Sequence, residues 1–89
     1  MKIIVTLHVL EDKIPRLKVL GWNVTQIKIK QTIIKPKWRG ITRFGQETAM
    51  SLLDEGHILR VIFEREGDII RVITIHPARR GTYESTKEN

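Results

Sequence analysis

The sequence predicts an α+β domain in which two N-terminal helices pack on one face of a mainly antiparallel sheet. Three observations carry this expectation. One β-branched run comes first, two stretches of helical periodicity follow it, and strand-like stretches then fill the rest of the chain. Strands alternating with helices throughout would instead indicate a doubly wound parallel sheet. The expected order is β-α-α-β-β-β-β in a single domain spanning residues 1–89, with 84–89 a frayed tail.

Residues Ile3 to Thr6 are β-branched and apolar, as in a strand buried within a sheet. Leu7, Leu10, Ile14, Leu17 and Leu20 then recur at helical spacing, and Gly21 stands where a C-terminal cap belongs. Pro15 falls inside that pattern. Either the helix kinks there, or a new helix begins with Asp12 as N-cap and holds the proline in its first turn, which is the preferred reading. Asn23 or Thr25 can cap a second helix running to Lys35, because Pro36 biases the residue before it away from helical geometry. Ile27 to Lys30 also alternate like a strand, a competing signal.

Trp38 to Phe44 and Glu47 to Leu53 flank Gly45-Gln46 and read as a hairpin. His57 to Glu66 and Asp68 to His76 are the strongest strand signals, turning at Gly67-Asp68, with Pro77 ending the second. A two-residue turn there sets Glu64 opposite Arg71, Ile62 opposite Ile73 and Arg60 opposite Ile75. Alternation then puts Leu59, Val61, Phe63, Ile70, Val72 and Thr74 under the helices, with His76 at their edge. Arg60, Glu64 and Arg71 share the other face.

The chain has no cysteine, which removes disulfide frames and thiolate zinc sites from consideration. The histidines are not spaced as ligand pairs, so neither a metal nor a cofactor is expected. No stretch approaches membrane-spanning length, and the N-terminal apolar run is too short for a signal peptide, so a cytoplasmic protein without a membrane partner is expected. The formal charge of +6 is unevenly placed. From Lys13 to Arg43 there are nine basic residues and no acid, whereas Phe44 to Ala78 holds three arginines against six acids. Such polarisation favours a polyanionic partner.

Lys28, Lys30, Lys35, Lys37, Arg39 and Arg43, with Trp38 among them, could track a phosphate backbone while the indole stacks on a base. A solvated face that binds acidic protein or anionic lipid would look the same. His76, Arg79, Arg80 and Tyr83 cluster where the last strand leaves the sheet. The arginines could bind a scissile phosphate while the histidine or tyrosine moves a proton to or from the 2′-hydroxyl or leaving oxygen. On residue pattern alone, a strand-end histidine and a solvated basic tail is the favoured account. Arg60, an arginine amid isoleucines on a central strand, requires an anion, a carbonyl or water. Arg71 is expected to form a cross-strand ion pair with Glu64.

The stretch HILRVIFEREGDIIRVITIHPARRGTYE resembles the C-terminal half of the RelE/ParE toxin superfamily, in a small branch related to BrnT-type toxins. The elements that carry the resemblance are Leu59 to Phe63, the turn Glu66-Gly67-Asp68, Val72 to Thr74, Pro77-Ala78-Arg79-Arg80 and Tyr83; Thr6 to His8 resembles the branch's opening. The resemblance implies a microbial ribonuclease-like fold whose open sheet face holds RNA. It also implies cleavage of messenger RNA, often on the ribosome, by sheet arginines and a C-terminal tyrosine: here Arg60, Arg79 or Arg80, and Tyr83. A cognate acidic antitoxin is the implied partner. Phe63 stands where a tyrosine is frequent, no lysine pair accompanies Arg60, and ParE-type relatives act on gyrase instead. A nucleic-acid-binding module without chemistry, or a protein-interaction domain, therefore stands beside the endoribonuclease expectation.

Overall fold

Strand β1 (Lys2–Val5) runs parallel to the last strand of the chain and antiparallel pairings build the rest of the sheet. The computed structural model describes residues 1–84. After two helices come β2 (Trp38–Ile41), β3 (Glu47–Asp54), β4 (His57–Glu66) and β5 (Ile69–Arg79), in the spatial order β1-β5-β4-β3-β2. The α+β architecture and the order of elements are those expected. The sheet is mixed rather than mainly antiparallel, because the two helices carry the chain away from β1 and the first strand is left to pair with the last. Thr6 Oγ1 fastens this edge by donating to the Val72 carbonyl at 2.8 Å.

Pro15 shapes the first helical segment differently from either expectation. A wide π-type turn over Val9–Lys13 leads directly into α1 (Ile14–Val19), with Pro15 in its first turn, and Ile14 N–H donates to the Val9 carbonyl. Proline has no N–H and its ring crowds the preceding turn, and widening that turn accommodates both. Asp12 therefore caps nothing; it pairs with Arg16 at 3.1 Å. The extra residue also slips the apolar phase. Val9 and Leu17 are buried with Ile14 packed beside them, whereas Leu7 and Leu20 are exposed. Gly21, with φ +101°, ends the segment in a Schellman motif: Trp22 N–H donates to Leu17 and Gly21 N–H to Lys18, both at 3.0 Å.

Helix α2 (Gln26–Ile34) begins at Thr25, whose side chain accepts from Lys28 N–H, and stops at Lys35 before the proline. Ile29 and Ile33 point into the core, and burying each contributes roughly 1.5–3 kcal/mol. Thr32 Oγ1 donates to the Lys28 carbonyl at 2.8 Å, so Ser51 must be the donor in the 2.7 Å bond between the two hydroxyls that ties α2 to β3. The core lies between these helices and one sheet face, with Leu59, Val61 and Phe63 of β4 and Ile70, Val72 and Ile75 of β5.

The hairpin between β2 and β3 differs from the expected two-residue turn. Ile41 pairs with Glu47, leaving a five-residue connection in which Thr42 Oγ1 accepts from the N–H groups of Phe44 and Gln46 and Gly45 takes φ +86°. Gly67-Asp68 does form the two-residue turn, with Glu66 opposite Ile69. Pro77 does not end β5, which continues to Arg79. β1 stops at Val5 opposite Val72, so one side of β5 has no strand neighbour beyond that point among the described residues, and a residue without N–H costs no ladder bond there. The expected frayed tail lies outside the described residues except for Glu84, which is buried.

Candidate functional site

A bulge decides which side chains meet on the face of the sheet away from the helices. Phe63 pairs with Val72, but Ile62 pairs with Thr74, which leaves Ile73 as an extra residue in β5. From there on the expected pairing moves by one position. Arg60 faces His76 rather than Ile75; Thr74 and His76 leave the helix-covered face for the open one, and Ile75 becomes fully buried core. Cross-strand partners then align Trp38, Met50, Arg60 and His76 in one row across four strands.

Arg60 Nη1 lies 3.0 Å from His76 Nε2, and its guanidinium carbon sits 3.9 Å from the centre of the Tyr83 ring. His76 and Tyr83 meet edge to face with centroids 5.8 Å apart. The remaining histidine nitrogen, Nδ1, is 3.2 Å from the Pro77 carbonyl, which can only accept. The proton therefore resides on Nδ1, and the Nε2 lone pair accepts from Arg60. Burial holds the His76 pKa below its ordinary 6.5, with the charges of Arg60 and Lys13 adding to the effect and the Pro77 carbonyl opposing it. The ring is thus neutral at neutral pH, with a basic nitrogen masked by a guanidinium. Arg60 Nε is buried and has no partner among the described residues, so the guanidinium is not fully satisfied within residues 1–84.

A groove of about 540 Å³ adjoins this cluster. Arg60, Ile62 and Tyr83 line it together with Arg43, Phe44 and Gln46 of the β2–β3 connection. The Arg43 guanidinium lies 5.1 Å from the centre of the exposed Phe44 ring. On the far side of the row, Trp38 has Lys37 Nζ at 5.4 Å and the Arg80 guanidinium at 5.2 Å from its ring. Arg80 also donates to Glu84 at 2.9 Å.

The structure thus brings together Arg60, His76 and Tyr83 and sets Arg80 against Trp38. Arg79 is exposed and pairs with His57, so alternation turns it toward the helix side. The acid-free basic block is divided between two surfaces. Lys37, Trp38 and Arg43 belong to the open face, whereas Lys28, Lys30 and Lys35 ride on α2 or its end. Arg39, opposite Ala49, borders a depression with Ile33 on the helix side. Arg71 stands opposite Glu64 but bonds Glu66 at 3.1 Å, and Glu64 instead accepts from Gln46. His57 belongs to a separate surface cluster in which it, Trp22 Nε1 and Gly56 N–H all donate to Asp54; these bonds, His57 first, lower that carboxyl to about 2. His8 is exposed. Among the described residues no group of histidine and acidic side chains could hold a metal ion, and no helix is long and apolar enough to cross a membrane.

Sequence reasoning missed Glu84, Phe44 and Gln46 as neighbours of the site. The spacing of Arg80 and Glu84, four apart, was the available signal for the first; nothing local marks the other two. No family model, no curated protein and no solved structure matches this chain.

Proposed function

We propose that this chain is a toxin-like endoribonuclease of a toxin-antitoxin pair, cleaving messenger RNA on the open face of its sheet. The observation that carries the reading is the Arg60–His76–Tyr83 cluster, in which an incompletely satisfied guanidinium covers a neutral histidine beside an open groove. A phosphodiester entering the groove offers Arg60 an anion, and turning the guanidinium toward it uncovers His76 Nε2. That nitrogen then takes the proton of the adjacent 2′-hydroxyl as its oxygen attacks phosphorus. Arg60 stabilises the charge that builds on the phosphoryl oxygens. The bond from phosphorus to the 5′-oxygen breaks, the Tyr83 hydroxyl supplies the proton for the leaving oxygen, and the products carry a 2′,3′-cyclic phosphate and a 5′-hydroxyl. An acidic antitoxin suits the basic open face as the inhibitory partner.

Purified protein incubated with a translated messenger RNA, with and without ribosomes, tests this. Wild type is expected to cleave and an Arg60→Ala, Tyr83→Phe double variant to leave the RNA intact; intact RNA with wild type under both conditions sinks the enzyme reading. A binding module without chemistry is the second reading, favoured by the Arg60–His76 bond itself, which occupies the histidine nitrogen that would act as base. Under it, RNA binding is salt-sensitive and no new 5′-hydroxyl ends form.

A further inference from the structure

Beyond β5 the chain turns back across the open face and sets a carboxylate against it. Arg80 N–H donates to the Gly56 carbonyl at 2.9 Å, which fixes the start of the turn, and Tyr83 lands on Arg60. Glu84, next in the chain, has a side chain only 6% exposed. Its Oε2 accepts from Gly81 N–H at 2.7 Å and from Arg80 Nε at 2.9 Å. Its Oε1 is buried and has no partner among the described residues. Within residues 1–84 the open face therefore contains one buried acceptor, Glu84 Oε1, and one buried donor, Arg60 Nε, that are left unmatched.

Buried polar atoms are nearly always paired: Glu84 Oε1, an acceptor without a donor among the described residues, marks the carboxylate as an imperfect occupant of its place, and Arg60 Nε leaves a donor that an anion can satisfy. A backbone N–H and a guanidinium converging on a single oxygen form an arrangement that accepts phosphate as readily as carboxylate. Trp38 lies beside the Arg80 guanidinium, and Trp38 and Arg60 stand two strands apart, a separation of about 10 Å, so the two arginines can serve neighbouring phosphates of one strand while the indole offers a stacking surface.

We infer that Arg80 and Gly81 N–H form a phosphodiester subsite, which the Glu84 carboxylate fills in the free protein in place of a nucleic-acid phosphate. The inference rests on the reading of the open face as the RNA-binding face and adds to it an internal competitor. RNA must displace Glu84 to occupy the full row from His76 to Trp38. Its measured affinity is then reduced by the fraction of molecules in which the carboxylate is seated.

Fluorescence anisotropy with a labelled 2′-O-methyl RNA oligonucleotide, which cannot be cleaved through its 2′-oxygen, separates binding from chemistry. Wild type, Glu84→Gln, Glu84→Ala and Glu55→Gln are compared at fixed ionic strength, the last making the same charge change at an exposed turn. Both Glu84 variants are expected to bind about tenfold or more tightly than wild type, as removal of a seated competitor requires, with Glu55→Gln close to wild type. In Glu84→Ala, inorganic phosphate should also shift the Gly81 amide resonance, which wild type should resist. Urea midpoints of the variants show whether each remains folded. Wild-type binding that Glu84→Gln and Glu84→Ala leave unchanged or weaken, with no phosphate shift at Gly81, overturns the subsite while leaving the RNA-binding face intact. Absence of oligonucleotide binding by every variant instead removes the RNA reading and the subsite with it.

Discussion

Deleting Ile73 is the sharpest test of how the site is assembled. If Ile73 is the extra residue of a bulge, its removal joins Val72 to Thr74 and leaves Thr74 opposite Ile62, Ile75 opposite Val61 and His76 opposite Arg60, the pairs already present. Ile73 is half-buried. Its loss forfeits about 1 kcal/mol, part of the roughly 1.5–3 kcal/mol that full burial of such a side chain supplies. One residue fewer to order returns about 1–2 kcal/mol. The net change is expected to lie within about 1 kcal/mol. Were Ile73 instead a paired member of the ladder, with the extra residue earlier in β5, the same deletion would turn every residue from Thr74 onward to the other face. Ile75, 0% exposed, would leave the core and His76 would enter it. That exchange costs about 2–3 kcal/mol for the isoleucine and a further 1–3 kcal/mol for an unpaired buried imidazole. An 89-residue domain has only about 4–13 kcal/mol in all. Urea unfolding followed by far-UV circular dichroism reads the difference directly. A midpoint shift equivalent to more than about 3 kcal/mol at constant m would refute the assignment of Ile73 as the extra residue.

The lowered His76 pKa gives a pH signature. Between the lowered value and 6.5 the unfolded chain takes up a proton that the folded chain refuses, so the contribution is complete above 6.5 and is lost as pH falls through that window. Stability measured at about pH 7.5 and about pH 5 should fall more for wild type than for His76→Gln, and equal falls would count against a desolvated ring. Replacing Lys37, Arg43 and Arg80 by glutamine should weaken RNA binding and lower the slope of log K against log salt by about 0.7 for each phosphate no longer neutralised. The same change at Lys28, Lys30 and Lys35, on the opposite side, should leave most of the slope in place; the reverse ranking would move the interface to α2. Gly21→Ala places a Cβ at φ +101°, and although nothing crowds it, the left-handed backbone should cost about 1–2 kcal/mol in urea unfolding.

Local chemistry made much of this chain legible. Asn23 or Thr25 ahead of an apolar period of helical type pointed to α2, and Thr25 is the one that caps it, its side-chain oxygen accepting from the N–H three residues on. Gly21 and Gly67 were readable because few other residues adopt their backbone angles. Arg60 stood out as a cation among isoleucines, and alternation alone assigned it to the face opposite Leu59 and Val61. Pattern failed where one extra residue is absorbed. A period-two or helical repeat carries no mark of a bulge or a π-type turn, so the sequence could not show Val9 rather than Leu7 entering the core, or His76 crossing to Arg60.

What the sequence by itself determined is the class of the fold, the order of its elements, the Gly67-Asp68 turn and the presence of a basic chain with an arginine misplaced on a strand. Tertiary structure alone decided that β1 lies parallel to β5, that the basic block is split between two surfaces, and that Arg60, His76, Tyr83 and Glu84 share one face. Those outcomes depend on register and on where the chain end folds back, both set by packing between segments far apart in sequence, which no local pattern records.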